Sequence, residues 1–389
     1  MRIVFKSRLF VALTAMAALL LVVPTAASSA PEEYTATVTG VDFLGEHIIP
    51  TGASYAGTEI GGLSSITYDE RRGVYHVLSD DQGNRDTGDP VRYYTVSVDF
   101  DSSGFLGDGV VFAAMTPLYD RFGAPFAPGG VDPEGLAVGI RPSLYVSAEG
   151  IVGDTIVQPF IRRYNRWGLP TAQFPIPSKY ISNGVDRGVR QNLSFESLNL
   201  TPNDRTLVTA GEGALYQDGP ASSFESGSLA RILQFDVRTR RAIREYVYEV
   251  EPWAEPSAIF GVNGIVEVLP IDNRGTMLVM ERSFSVGGVL GGGTGNVVSI
   301  YEVSTAGASN VLGVDALYEN GQPIAVTPVT KRLVFAFDDL GIPIDNIEGM
   351  TFGPDLDDGR RSLVIVSDNN FGAGQFTQFV VLALDIETG

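Results

Sequence analysis

Short apolar stretches separated by turn residues run through the chain after residue 30, without the 3.6-residue period of long amphipathic helices. Residues 346–371 show this pattern most clearly. An apolar run over 347–352 is followed by the turn Pro-Asp-Leu-Asp-Asp-Gly at 354–359 and by a β-branched run over 362–366. The pattern predicts a β-hairpin. Its open end should bring Glu348 beside Asp368, because antiparallel pairing places the start of one strand next to the end of the other.

The same hairpin recurs along the chain, so that five copies can be marked. The other four lie at residues 60–81, 132–150, 195–213 and 262–283. Each copy opens with Glu, Asn or Gly before a small residue, and each second strand ends in a carboxylate. Two further strands are predicted after each of the first four hairpins, at 92–100 and 109–114, 160–166 and 171–176, 229–237 and 242–250, and 297–303 with a segment in 310–337. Four-stranded repeats at this spacing are typical of a β-propeller.

The last repeat is incomplete, because only one strand, 379–386, follows the fifth hairpin. We expect residues 34–44 to supply the missing outer strand and to close the ring. The sequence therefore predicts an all-β propeller of five four-stranded blades. A degenerate sixth blade within 285–340 is the alternative, and the glycine-rich stretch 287–295 is interpreted as a loop.

The first thirty residues have the composition of a signal peptide. Arg2, Lys6 and Arg8 precede an apolar run over 9–23, and Ala-Ala-Ser-Ser-Ala at 26–30 resembles a cleavage site. The apolar run is short for a membrane anchor. We therefore expect residues 1–30 to be removed and residues 31–389 to form a single domain that is secreted or periplasmic, with no membrane span.

Charge and cysteine content narrow the function classes. The chain has 46 acidic against 27 basic residues, a formal net charge of −19, which argues against binding to nucleic acid or anionic lipid. It contains no cysteine, so an exported form has no disulfides and depends on its core alone. We expect a monomer.

Several motifs resemble the phytase-like family, also described as "esterase-like activity of phytase". They are Gly-Leu-Ser-Ser-Ile-Thr-Tyr at 62–68, Val-Leu-Ser-Asp-Asp at 77–81, Glu-Gly-Leu-Ala-Val at 134–138, Glu-Gly-Met-Thr-Phe at 348–352 and Ile-Val-Ser-Asp-Asn-Asn at 365–370. The resemblance covers roughly residues 55–388. It implies a propeller that hydrolyses a phosphate or carboxylic ester, with calcium dependence as in the propeller phytases. Copies one and four depart from the pattern, with Gly61 and Asn263 in the place given to glutamate.

The inner strand of each blade lines the channel of a propeller, so carboxylates at the open ends of the hairpins should gather at one channel mouth. The predicted metal ligands are Glu134, Glu196, Glu348, Asp80, Asp81 and Asp368, and the predicted channel-lining residues are Glu149, Glu212 and Glu281. Crowded carboxylates require cations or protons. Oxygen ligands without cysteine, and with only His47 and His76 as histidines, favour Ca²⁺, and after it Mg²⁺, over zinc.

A structural interpretation of the same residues stays open. Each glutamate could accept backbone N–H groups from the neighbouring blade and act only as a clip between blades. Four arginines in nearby loops are candidates for binding an anionic ester, or for balancing the carboxylates: Arg85, Arg187, Arg190 and Arg282. His76 lies within a strand pattern and is interpreted as a packed residue. The sequence has no G-x-S-x-G elbow, H-E-x-x-H motif or P-loop, which leaves serine-nucleophile chemistry unsupported.

Two function classes follow from the sequence. The first is an exported, calcium-assisted hydrolase of a small phosphate ester or another anionic ester. The second is a non-catalytic propeller that binds a protein or a glycan. A calcium propeller of the lactonase type is a further alternative.

Overall fold

A computed structural model describes residues 36–139 and 143–388. The predicted signal peptide lies outside the described residues. Five four-stranded antiparallel sheets follow one another as the blades of a propeller, and the prediction of five blades is confirmed. Among the described residues no helix is long and apolar enough to cross a membrane.

The strands are numbered in chain order. They are β1 (Ala36–Pro50), β2 (Ser54–Tyr55), β3 (Thr58–Glu59), β4 (Leu63–Asp69), β5 (Val74–Ser79), β6 (Arg92–Asp101), β7 (Gly104–Pro117), β8 (Pro133–Val138), β9 (Leu144–Ala148), β10 (Phe160–Tyr164), β11 (Pro170–Phe174), β12 (Asn199–Leu200), β13 (Thr206–Ala210), β14 (Ser228–Asp236), β15 (Arg241–Val250), β16 (Gly261–Pro270), β17 (Thr276–Ser285), β18 (Asn296–Ser304), β19 (Tyr318–Glu319), β20 (Gln322–Pro323), β21 (Thr330–Ala336), β22 (Asn346–Asp355), β23 (Arg361–Asp368) and β24 (Phe376–Thr388). Short 3-10 helices lie at Ser178–Tyr180, Tyr216–Asp218, Gly291–Gly293 and Phe337–Leu340.

The blades follow the chain order, from the inner to the outer strand. Blade 1 contains β4 to β7, blade 2 contains β8 to β11 and blade 3 contains β12 to β15. Blade 4 contains β16, β17, β18 and β21, and blade 5 contains β22, β23, β24 and β1. The pairs β2–β3 and β19–β20 form two small ribbons outside the blades. Residues 285–340 contain the two outer strands of blade 4, one ribbon and two short 3-10 helices, and no sixth blade.

The N-terminal strand closes the ring, as predicted. In blade 5, β1 pairs with β24 from Ala36 opposite Thr388 to Pro50 opposite Phe376. Two bulges interrupt the pairing, between Val38 and Gly40 and between Phe43 and Gly45. The strand is therefore longer than the predicted segment, and the first and last described parts of the chain share one sheet.

Each blade packs both of its faces against its neighbours, and this explains the apolar runs in the strands. Five large clusters of buried apolar side chains lie at the five seams between blades. The seam between blades 4 and 5, for example, packs Val266 and Met280 against Ile347 and Ile365.

The Glu-Gly motif has a packing reason. A Cβ atom on Gly135 would lie 2.2 Å from the Ser147 Oγ and 2.7 Å from the Cβ of Leu198 in the next blade. Gly349 approaches blade 1 in the same way, since its Cβ would be 2.9 Å from the Cα of Ser65. Glycine allows two inner strands to approach this closely.

Candidate functional site

A bulge near the start of the inner strand sets the geometry of each hairpin. The pairing register shifts by one residue between Leu63 and Ser65, Pro133 and Gly135, Ile265 and Glu267, and Ile347 and Gly349. In blade 3 the same shift lies between the pairs Phe195–Gly211 and Asn199–Val208. The extra residue at a bulge is turned out of the ladder.

The bulge gives three equivalent positions at the open end of every hairpin. We call them the entry position on the inner strand, the bulge position two residues later, and the exit position opposite the entry position. For blades 1 to 5 the entry residues are Gly62, Asp132, Ser194, Gly264 and Asn346; the bulge residues are Ser64, Glu134, Glu196, Val266 and Glu348; and the exit residues are Asp80, Glu149, Glu212, Arg282 and Asp368. This register corrects the sequence alignment of copies one and four, where Ser64 and Val266, rather than Gly61 and Asn263, hold the glutamate position.

Eight carboxylates occupy these positions, and we call them the acidic mouth: Asp80, Asp132, Glu134, Glu149, Glu196, Glu212, Glu348 and Asp368. All are buried except Asp80, which is partly exposed. They interact electrostatically around the ring. Glu134 interacts with Glu196, Asp132, Asp80 and Glu149, and Glu196 interacts in turn with Glu212 and Glu348. The structure thus brings together seven of the predicted carboxylates and adds Asp132.

Three members of the acidic mouth form the tightest group. Carboxylate oxygens of Asp132, Glu134 and Glu149 lie within 4.8 Å of one another, a spacing that suits shared ligation of one cation. No salt bridge joins any of the three to a lysine or an arginine of the described residues. Their negative charge is therefore not balanced by the described part of the protein.

Blade 4 differs from the others, because Arg282 occupies its exit position. Its guanidinium donates to the Glu348 Oε1 at 2.6 Å and to the Glu212 Oε1 at 3.2 Å, and it also contacts the Asn346 side chain. Its Nε is buried without an acceptor among the described residues. Asn346 in turn donates to Glu348 at 2.8 Å and to Asp368 at 3.3 Å. The half of the mouth on blades 3 to 5 is therefore compensated, whereas the half on blades 1 and 2 is not.

Burial raises the pKa of the carboxyls of the acidic mouth. It places the pKa of Asp80, Glu134, Glu149 and Glu196 well above the ordinary range, and neighbouring carboxylates raise each of these further. Burial also raises the pKa of Asp368 to about 8, with Glu348 adding to the effect. It raises the pKa of Glu212 to about 7, although Arg282 opposes the increase. With a pKa of about 8, Asp368 holds a proton at neutral pH unless a cation replaces it.

Two predicted site residues lie elsewhere. Asp81 accepts from Arg92 at 3.0 Å and from the Gly83 N–H at 3.0 Å, and its side chain is fully buried in that ion pair. Glu281 accepts from the Tyr248 hydroxyl at 2.6 Å and pairs with Lys331 at 2.9 Å. Asp81 and Glu281 are each adjacent in sequence to an exit residue. Because successive side chains of a strand point to opposite faces, their side chains point away from the mouth. We therefore exclude Asp81 and Glu281 from the acidic mouth.

Of the four predicted arginines, only Arg282 contacts the acidic mouth. Arg85 pairs with Glu59 at 2.6 Å and stacks over the Phe371 ring at 3.5 Å. Arg187 makes a bidentate pair with Asp315 at 2.8 and 2.7 Å. Arg190 donates to two backbone carbonyls, those of Ala214 and Gly219.

Both histidines also lie outside the mouth. His76 is buried, its Nδ1 lies 3.1 Å from the Thr95 hydroxyl, and burial lowers its pKa to about 4. His47 packs against Phe105. Two cavities of about 710 and 840 Å³ lie at the opposite end of the ring, between turns, and neither is lined by a residue of the acidic mouth. The mouth therefore offers oxygen atoms only, apart from the nitrogens of Arg282 and Asn346.

One of the predicted channel-lining residues, Glu149, also acts as a clip between blades. The Glu149 Oε2 accepts the backbone N–H of Ser194 in blade 3 at 3.3 Å. A further clip is Glu267 of blade 4, which sequence analysis missed: its Oε1 accepts the side-chain amide of Asn199 in blade 3 at 3.1 Å. Asp132 and Asn346 were missed because only the bulge register shows that the second residue before a bulge faces the mouth.

Comparison with known proteins identifies the family. The family model described as "Phytase-like: Esterase-like activity of phytase" matches residues 58–371. No curated protein matches the chain. The motif resemblance is thereby confirmed over most of the chain.

Solved structures with similar chains are distant. They include hydrazine synthase of Kuenenia stuttgartiensis, at 12% identity over 82% of this chain and 80% of that chain, with a TM-score of 0.32. The periplasmic gluconolactonase PpgL of Pseudomonas aeruginosa is 14% identical over 85% and 87%, with a TM-score of 0.36. The Dos1 propeller is 9% identical over 82% and 67%, with a TM-score of 0.30. At these values the similarities do not assign an activity.

Proposed function

The chain belongs to the phytase-like family, and we propose that it is a cation-assisted hydrolase of phosphate esters or other small anionic esters. The observation that carries the proposal is the group Asp132, Glu134 and Glu149, whose oxygens lie within 4.8 Å and have no basic partner among the described residues. Buried like charges at this distance are unfavourable without a cation or protons. A divalent cation held by these three carboxylates would compensate their charge and would supply a Lewis acid for the hydrolysis.

The donor set fits calcium better than the other common metals. Three carboxylates provide up to six oxygens, and Asp80 and Glu196 interact with Glu134 from the two adjacent blades. Ca²⁺ takes six to eight oxygen ligands in flexible geometry, whereas Mg²⁺ requires a strict octahedron and keeps several waters. Zinc prefers nitrogen and sulfur donors, which this group lacks. We therefore propose Ca²⁺ as the cofactor, with Mg²⁺ as a weaker alternative.

In the proposed mechanism, one group of mouth residues binds the cation and another residue binds the anionic ester. A cation held by Asp132, Glu134 and Glu149 would polarise a phosphoryl or carbonyl oxygen of the substrate. Arg282 faces the same mouth from blade 4, and its guanidinium would attract an anionic oxygen of the substrate. Glu212 and Glu348 hold the guanidinium in place. A role in binding the anionic substrate explains why blade 4 has an arginine at the exit position, where the other four blades have a carboxylate.

The proposal includes export. We expect the chain to lose residues 1–30 and to act as a secreted or periplasmic monomer, which N-terminal sequencing and light scattering of the exported protein would check. The full chain has a formal net charge of −19, and residues 1–30 contribute three basic and no acidic residues, so the exported form is more acidic still; this charge repels polyanions such as nucleic acid and leaves small esters as the fitting substrates.

Calcium binding and hydrolysis test the proposal together. We expect the parent protein to bind Ca²⁺ in calorimetry and to hydrolyse p-nitrophenyl phosphate, phytate or a carboxylic ester in a calcium-dependent manner. Glu134→Gln removes a charge from the group, and we expect it to weaken calcium binding by about tenfold or more. Glu281→Gln is the matched control, because this buried carboxylate lies outside the acidic mouth and its loss should leave the affinity unchanged.

The outcomes separate the function classes. Calcium binding without turnover of any ester would favour the non-catalytic propeller. Turnover of a lactone alone would favour the lactonase alternative. A parent protein that binds no Ca²⁺ or Mg²⁺, or equal calcium affinity in the parent and Glu134→Gln, would overturn the cation-assisted mechanism.

A further inference from the structure

Ser194 is the one hydroxyl residue among the five entry positions. It lies in blade 3 at the position held by Asp132 in blade 2 and by Asn346 in blade 5, both of which direct their side chains into the mouth. Its backbone is tied to two members of the acidic mouth. The Ser194 N–H donates to Glu149 at 3.3 Å, and the Ser194 carbonyl accepts the Glu212 N–H at 2.7 Å. The backbone of Ser194 therefore lies between the uncompensated half of the mouth and the half held by Arg282.

The Ser194 hydroxyl is buried and has no hydrogen-bond partner among the described residues. Ser194 is 1% exposed, and its Oγ makes no hydrogen bond with any described residue. A buried hydroxyl without a partner costs about 1–3 kcal/mol, and in native proteins such a group often marks a bound water or ion. No acceptor among the described residues forms a hydrogen bond with the Ser194 Oγ, so its lone pairs remain available to a cation.

On the basis of the proposed function, we infer that the Ser194 Oγ is a neutral oxygen ligand of the divalent cation held by Asp132, Glu134 and Glu149. The site then spans blades 2 and 3, because Glu149 already accepts the Ser194 N–H across that seam. A neutral fourth ligand raises the coordination number without adding charge to a crowded site. This selects Ca²⁺ over Mg²⁺, since the larger ion accommodates more protein oxygens.

Calcium affinity tests this inference directly. In calorimetry of the full exported chain, Ser194→Ala should weaken Ca²⁺ binding by about five- to tenfold and Mg²⁺ binding by less. Ser194→Asp, which copies the residue of blade 2, should bind Ca²⁺ more tightly than the parent. Ser228→Ala is the matched control, because the Ser228 Oγ is also buried without a partner but lies on the third strand of blade 3. This variant should keep the parent affinity.

A second measurement covers the case in which a variant folds poorly. Hydrogen exchange on the parent should show that Ca²⁺ increases protection of the Ser194 and Glu196 amides in blade 3, and not only of blade 2. Unchanged calcium affinity in Ser194→Ala, or protection confined to blade 2, would overturn the role of Ser194 and leave the proposed function standing. Absence of calcium binding by the parent would instead defeat the proposed function.

Discussion

At the scale of single residues, Arg282 decides how charge is distributed in the mouth. Four blades place a carboxylate at the exit position, and blade 4 places a guanidinium there. Its contacts with Glu212 and Glu348 join blades 3 and 5 across blade 4. A buried ion pair of this kind stabilises only while both partners remain, because removal of one leaves an uncompensated buried charge.

Arg282→Gln should therefore separate cation binding from anion binding. We expect several-fold tighter Ca²⁺ binding at low salt, because a positive charge has left the mouth. Binding of inorganic phosphate to the calcium-loaded protein should weaken by about tenfold, because its hydrogen-bond donors are lost. Both affinities are measured by calorimetry. Arg332→Gln, which breaks the pair with Glu302 outside the mouth, is the control. Weaker calcium binding in Arg282→Gln would contradict the role given to this residue.

At the scale of elements, the hairpin repeat was predictable and its register was not. Alternating apolar runs and turn residues located all five hairpins, and the missing strand of the last blade indicated that the N-terminal strand closes the ring. Ser64 and Val266 were not recognised as equivalents of Glu134, because a bulge has no side-chain marker once its glutamate is replaced. The same one-residue shift decides that Asp80 faces the mouth whereas Asp81 faces Arg92.

Gly135→Ala should show how closely the inner strands pack. The new methyl group would lie 2.7 Å from both the Cβ of Leu198 and the backbone carbon of Ser197, and neither atom can move without shifting blade 3. We expect the free energy of unfolding, measured by urea denaturation, to fall by about 1–3 kcal/mol. Gly153→Ala, in the same blade with open space around it, should change it little. Equal stability of the two variants would argue against tight contact at this seam.

At the scale of the whole molecule, the ring holds its acidic mouth in place through five apolar seams. The chain carries a net charge of −19, and eight of its carboxyls converge at one end of the ring. Strand β1 completes blade 5, which packs against blades 4 and 1. This packing fixes the positions of Glu348 and Asp368 relative to the carboxyls of blade 2. The family and fold follow from the repeat, whereas the charge state of the mouth depends on long-range packing that the sequence does not display.

This charge state makes the stability of the metal-free protein depend on pH. Burial raises the pKa of Asp368 from 3.8 to about 8 and that of Glu212 from 4.5 to about 7. Between pH 4 and pH 8 the native state therefore retains protons that the unfolded chain has already lost. The stability from these groups is fully present below pH 4 and is lost as the pH rises through 7 to 8. In EDTA, the Tm should fall by several degrees from pH 5 to pH 8.

Calcium should reverse this dependence, because a bound cation stabilises the charged carboxylates and competes with protons. At saturating Ca²⁺ the Tm should be flat or should rise from pH 5 to pH 8, as measured by differential scanning calorimetry. Asp368→Asn removes one titrating group and should reduce the slope in EDTA, whereas Asp358→Asn, an exposed turn residue whose pKa is lowered, should leave it unchanged. If the Tm in EDTA is constant between pH 5 and pH 8, the carboxyls of the mouth do not hold protons, and the competition between protons and calcium on which this prediction rests is absent.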